Sequence, residues 1–274
     1  MSKESYTRET QRANFLKRVI IRIDYTGVVT ASTFVESIKG AFIRNYFDSF
    51  YKRFIGQAKL NFSDLGSIAK TLMIPVQDLK NEPLYVFSAS PFRGTKDIVT
   101  MEISAYYTAL DINCNEYQSI DPYRALISEF VHLISEQEIA LSINRLGIRK
   151  ANGRIFDTVE SLLDTYESGV FYGMSPDERM DLINKEYLDC FFNDEHDIKV
   201  NYKRAIVSVL DPERKLKLQT GLDIDVYVDN EIIRTKDIDL CKDFESVFDR
   251  LNDYQFLLYR NSVTERYLAS TSNE

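Results

Sequence analysis

Two pairs of charged residues have the spacing from which a reactive site is most readily built. Asp223 and Asp225 lie in Leu222-Asp-Ile-Asp-Val226, and Arg145 and Arg149 lie in Arg145-Leu-Gly-Ile-Arg149. In a strand, alternate residues share a face, so the two aspartates stand about 7 Å apart. Carboxylates at that spacing can hold Mg²⁺ for phosphoryl transfer, given further ligands and a substrate contact. A single D-x-D on a polar strand is equally a solvated face or a set of ion pairs. The arginines flank Gly147, whose missing side chain lets a ligand or another backbone come close. Their guanidinium forks suit phosphate or carboxylate, and Asn152 follows as a further polar group. The plainer alternative, and the favoured one, is that they pair with strand carboxylates such as Asp24, Glu102, Asp223 or Asp225.

The usual catalytic signatures are missing. There is no P-loop, no GxGxxG and no nucleophile elbow. His132 falls on the polar side of its helix, and His196 sits in the acidic run Asn193-Asp-Glu-His-Asp197. Cys114, Cys190 and Cys241 are odd in number and form no CxxC, which points to reduced thiols rather than a disulfide framework or a zinc site.

The stretch from Ile139 to Arg154 must position the arginines, and it reads as a strand that changes phase midway. Ile139, Leu141 and Ile143 share one face, whereas Leu146 and Ile148 share the other. A β-bulge at Asn144–Arg145 accounts for the switch. The aspartates belong to the cleanest alternation in the chain, with Leu216, Leu218, Thr220, Leu222, Ile224, Val226 and Val228 on one face. Around these, the periodicity predicts a strand at 19–25 and an aromatic-rich helix from Thr30 or Ser32 to Arg53. A weaker helix follows at 63–73, then strands at 84–90 and 98–105. The second of these strands runs on through Ile112 with a bulge near Tyr106. Helices follow at 121–134, at 158–166, from Ser175 to about Cys190 or Phe192, and from Asp243 to Asn261. A last strand lies at 199–210, and Ser262 and Glu265 cap a final turn.

Hairpins outnumber β-α-β units, so the expected class is α+β, with antiparallel sheets and helices packed on one face. The order suggests a polar arm at 1–16, an α+β half at 17–157 and a second at 158–270; one continuous domain is the other reading. With 44% hydrophobic residues and 17 each of Phe and Tyr, the chain can bury a sizeable core. The net charge of −8 disfavours non-specific nucleic-acid binding, although the first sixty residues lean basic, with Lys39, Arg44, Lys52 and Arg53 among them. The polar start, Met1-Ser-Lys-Glu-Ser-Tyr, and the lack of a long apolar run give an expected cytoplasmic location and no membrane span.

Arg145-Leu-Gly-Ile-Arg-Lys-Ala-Asn152 resembles the Arg-Leu-Gly-Leu-Arg-Tyr-Ile-Asn segment of a sporadically distributed family of uncharacterised prokaryotic proteins. Leu222-Asp-Ile-Asp-Val226, followed by a helix with Phe244, Leu251 and Tyr259, is a second point of similarity. The chain departs from that pattern at Lys150 and Ala151, where Tyr and an aliphatic residue are usual, and at Asn252, where a His is expected. The resemblance implies a prokaryotic source and a shared α+β fold, and it brings no catalytic residue.

These residues lead to an interaction protein without enzymatic activity or cofactor, its partner another protein or a second copy, met at a sheet edge or on the aromatic face of the helix after Thr30. The alternative is a nucleotide- or phosphate-dependent activity, with Arg145 and Arg149 on phosphate and Asp223 and Asp225 on Mg²⁺; Asn152 is a further candidate binding residue. A second alternative is nucleic-acid binding through the basic N-terminal region.

Overall fold

The computed structural model describes residues 3–7, 15–26, 31–54, 83–136, 142–171 and 184–272. Its described strands form a nine-stranded sheet in the order β2-β3-β4-β5-β1-β6-β9-β8-β7, and with six α-helices the fold is α+β. By contacts the chain divides into two units, and both are discontinuous. One holds residues 1–19, 148–228 and 246–274; the other holds 20–147 and 229–245. Two strands are therefore shared: β1 (Leu16–Thr26) divides after Val19, and β6 (Ser142–Phe156) divides after Gly147.

In the unit containing 20–147, β2 (Ser49–Phe54), β3 (Pro83–Ala89), β4 (Ile98–Ile103) and β5 (Tyr107–Asn113) form an antiparallel meander. Its core is aromatic. Helix α1 (Ala31–Asn45) brings Phe34 edge-on to Phe130 of α2 (Asp121–Ser135), with centroids 5.7 Å apart. Phe42 of α1 packs on Phe87 of β3 at 5.8 Å. Tyr123, Leu126, Ile127, Phe130, Val131 and Ile134 recur at helical spacing along α2 and are all buried. Asp97 is fully buried yet satisfied, because its carboxylate accepts from the Asn115 and Glu116 amides at 2.6 and 2.9 Å and from the Tyr123 hydroxyl at 2.6 Å.

In the other unit the alternation of β9 (Leu216–Val228) holds from Leu218 onward, with every even position to Val228 buried. It pairs antiparallel with β8 (Ile198–Leu210), from Lys199 opposite Tyr227 to Leu210 opposite Leu216. Beyond β8, β7 (Asn184–Asn193) adds a ten-residue ladder and ends the sheet order. Helix α3 (Val159–Thr165) opens on a capping box at Thr158 and Ser161. Its C-terminal end is tied to the junction of α5 (Phe244–Ser262) and α6 (Glu265–Thr271): the Glu167 amide donates to Ser262 O at 3.0 Å and the Thr264 amide to Thr165 O at 2.9 Å. Of the stretch read as a polar arm, Lys3–Ser5 form a 3-10 turn, Tyr6 is buried, and Lys3 donates to Val263 O at 2.6 Å. A short helix, α4 (Asn230–Thr235), completes the set and is capped by Asp229.

Three sequence expectations are corrected. The helix expected to reach Arg53 stops at Asn45, and Ser49–Phe54 is strand. Phe50 stacks on Tyr85 and Phe87 across β3, so the aromatic spacing that extended the helix on paper belongs to a sheet contact. The helix expected to reach Cys190 or Phe192 is replaced from Asn184 onward by β7, and its start at Ser175 lies outside the described residues. Its apparent stripe of Tyr187, Leu188, Phe191 and Phe192 is outweighed by a continuous ladder with β8. Finally, residues 98–112 form two strands rather than one bulged strand. Ser104 makes the turn between them, its hydroxyl oxygen accepting from the Tyr106 and Tyr107 amides at 3.1 and 3.0 Å. The segment 63–73 and the cap at Thr30 also lie outside the described residues.

Candidate functional site

Burial along β6 locates its phase switch. Ile143 is buried, Asn144 and Arg145 are both intermediate, and from Leu146 the even positions through Asn152 are buried. The change falls at Asn144–Arg145, where the bulge is expected. No described residue combines Arg145 and Arg149 within one unit: Arg145 belongs to the unit with 20–147 and Arg149 to the other.

Each arginine meets a strand carboxylate. Arg145 Nη1 lies 3.7 Å from Oδ2 of buried Asp24, an ion-pair distance beyond hydrogen-bond reach, while Arg22 Nε donates to the other oxygen at 2.7 Å. Arg22 also stacks over Tyr107 at 4.5 Å. Arg149 forks onto Asp223, with Nε to Oδ1 at 2.8 Å and Nη2 to Oδ2 at 2.5 Å. Both oxygens of Asp223 are thereby engaged. Asp225 accepts from Asn201 Nδ2 at 3.3 Å. Asn152 is buried and donates to Leu222 O at 3.3 Å, which ties β6 to β9. Among the described residues no group of three or more His, Cys, Asp or Glu is placed to hold a metal ion.

Lys150 and Asn252, two of the positions set apart in the sequence, bond one another: Lys150 Nζ donates to Asn252 Oδ1 at 2.8 Å in a buried contact. Of the basic N-terminal residues, Lys39 lies over Phe50 at 4.3 Å, Lys52 over Tyr85 at 5.0 Å, and Arg53 bonds Glu102. Lys52 and Arg53 are successive residues of β2 and so face opposite sides of the sheet.

Two features were not visible in the sequence. The first is β7. It stands at the end of the sheet order and exposes Leu188, Phe191 and Phe192 by 62, 54 and 58%. Its charges are met from within the sheet: Glu186 by Lys203 at 3.2 Å, and Asp189 by Arg204. Arg204 is itself buried between the Tyr187 and Tyr202 rings, at 5.0 and 5.3 Å. The second is a cleft of about 500 Å³ where Phe15, Arg154, α3 and α6 converge. The Arg154 guanidinium lies 4.5 Å from the Phe15 ring and 5.0 Å from the Phe156 ring. These parts lie as far apart in sequence as Phe15 and Thr271, so no local pattern announces them.

No family model matches the chain, and no curated protein is significantly similar to it. Among solved structures, one described as KH domains aligns with 93% of this chain at 8% identity and a TM-score of 0.21. The alignment spans 64% of that chain, less than two thirds of its length. A superposition at that score does not establish a shared fold. Among the described residues no helix is long and apolar enough to cross a membrane.

Proposed function

We propose that the protein is a binding protein that acts by strand addition along β7, taking up an extended segment of another protein. The position of β7 at the end of the sheet order among the described residues carries this reading. A long edge strand presents a row of outward N–H and C=O groups, and proteins that leave such an edge unused usually blunt it with charge, proline or brevity. The opposite end of the sheet order is blunted in that way: β2 has six residues and carries Lys52 and Arg53. By contrast β7 has ten residues; Glu186 and Asp189 pair with Lys203 and Arg204 of β8, Lys185 lies over Tyr187, and two phenylalanines and a leucine are exposed. Backbone ladder bonds would supply affinity, and alternate apolar side chains would supply selectivity.

A second copy of the chain fits the edge less well. Two-fold antiparallel pairing centred on Leu188 sets Lys185 against Phe191, and pairing centred on Asp189 opposes two carboxylates. Centred on Cys190, it sets Asp189 against Phe191. A foreign strand with apolar residues at alternate positions avoids these conflicts.

A displayed library of random peptides, selected against the full chain, tests the proposal. Enriched sequences should alternate apolar and polar residues, and their binding should protect β7 amides from hydrogen exchange. Leu188→Lys and Phe192→Lys should each weaken a selected peptide about tenfold or more, in line with loss of a buried apolar anchor. Protection that falls elsewhere, or a concentration-dependent dimer that Leu188→Lys dissolves, would overturn it.

A further inference from the structure

We propose that the cleft beside Arg154 binds a phosphorylated sugar or polyol. This site is separate from the β7 edge and uses residues that the strand-addition reading leaves idle.

Arg154 makes no ion pair and no side-chain hydrogen bond with any described residue, and its guanidinium lies over the rings of Phe15 and Phe156. A ring beneath a guanidinium attracts the cation through its π-face and leaves the in-plane N–H donors unused. Those donors border an open cleft large enough for a small organic ligand. The second cation there, Arg266, holds Asp164 at 2.9 Å, and both members of that pair are more than half exposed. Such a pair contributes little to stability and can be redirected by a stronger anion. With Asp164 balancing Arg266, Arg154 leaves the described lining of the cleft with one positive charge in excess.

The remaining polar groups indicate what accompanies the anion. Thr165 donates its hydroxyl proton to Ser161 O at 3.0 Å, and Ser270 and Thr271 donate to Tyr267 O at 2.8 and 3.0 Å. A hydroxyl whose proton is given to a helix carbonyl presents its oxygen as an acceptor. The cleft therefore offers guanidinium donors at one place and hydroxyl acceptors at another. An oxoanion alone satisfies only the first. A phosphate ester bearing free hydroxyls satisfies both, because its hydroxyl protons meet the acceptors while its phosphate takes the fork of Arg154. A phosphopeptide would supply fewer hydroxyl donors, and an unphosphorylated sugar would leave the cation unanswered.

Titration calorimetry of the full chain at low salt, with ribose 5-phosphate, inorganic phosphate and ribose as separate probes, tests this assignment. Ribose 5-phosphate should bind about tenfold more tightly than inorganic phosphate, as expected for one or two further hydrogen bonds, and ribose should bind weakest of the three. Arg154→Gln should weaken ribose 5-phosphate at least about tenfold through loss of charge-assisted bonds. Arg149→Gln, which alters a guanidinium already held by Asp223, should change it less than about twofold. Arg154→Lys keeps the charge and the stem; it should fold and bind with intermediate affinity, so a folding failure of the Gln variant leaves the test intact. Equal affinity for inorganic phosphate and ribose 5-phosphate would overturn the sugar assignment. Unchanged affinity in both Arg154 variants, or no heat with ribose 5-phosphate, would overturn the site.

Discussion

Arg149 and Arg154 stand five residues apart on the same strand, within the same unit, and their surroundings are opposite in kind. Arg149 is half exposed and forks onto a carboxylate of the neighbouring strand. Arg154 has no carboxylate among the described residues and lies between two phenyl rings. The first arrangement is self-contained, since charge and donors are answered together. The second answers only the charge, and incompletely, because a ring offers a π-face but no acceptor lone pair. The capacity to bind an anion therefore depends less on a cation's presence than on how many of its donors are already used. By that measure the arginine in the recognisable motif is the less available of the two.

The comparison can be broken most forcefully from the apolar side. Phe156 is 2% exposed, and Phe156→Ala should cost about 3–5 kcal/mol in a urea titration while removing one of Arg154's two supports. A cost near that of an exposed residue would show that the ring is not packed as described. Next in size is the effect at Lys150, which lies between Arg149 and Arg154 on the strand. Lys150→Ala leaves the buried Asn252 amide oxygen without this donor and should cost about 1–3 kcal/mol. Adding Asn252→Leu should return part of that loss, and strict additivity would mean that the two side chains are not coupled.

A pH titration addresses the apolar surroundings of the cleft. Burial raises the Tyr166 phenol from its usual value near 10 to about 12, and Tyr166 packs on both Phe15 and Phe156. The folded state thus holds the proton more tightly than the unfolded chain. Stability from this source is full below pH 10 and is lost as the pH rises towards 12, by about 1 kcal/mol at pH 11. Tyr166→Phe should flatten the decline in the urea midpoint between pH 9 and 11; an unchanged slope would place the effect on other tyrosines. The smallest effect should come from the motif itself. A double-mutant cycle on Arg149 and Asp223 should give a coupling below about 1 kcal/mol that shrinks with salt, because the guanidinium is half exposed.

The legible parts of the molecule were those in which a local period coincides with a buried face. The β9 alternation and the inner face of α2 are of this kind, and so is the phase switch in β6, where two adjacent intermediate residues replace the expected alternation. Misreadings arose where helical spacing and strand pairing competed for the same aromatics. In Phe50–Tyr51 and in Tyr187–Phe192 the side chains recur at near-helical intervals, but neighbouring strands claimed the backbone. Of the candidate binding residues, Arg145, Arg149, Asp223 and Asp225 were found in the right elements and against partners that the spacing allows. Asn152 turned out to be committed inside the sheet. The cleft was invisible for a different reason: Phe15, Arg154 and Tyr267 become neighbours only when three distant segments meet, and single residues of common types carry no trace of that.

The division of β6 after Gly147 has a consequence for biosynthesis. The unit that holds Arg149 and Arg154 includes residues 1–19, resumes at Ile148 and is completed only by residues 246–274. As the chain leaves the ribosome, Leu16–Val19 must wait for residues 246–274 before their unit can close, whereas the unit built on 20–147 lacks only the short piece ending at Glu245. Domains commonly fold in order of emergence. Here the order of completion departs from the order of appearance, and a released chain truncated after about residue 245 should protect β3–β5 from protease while leaving β7–β9 open to cleavage.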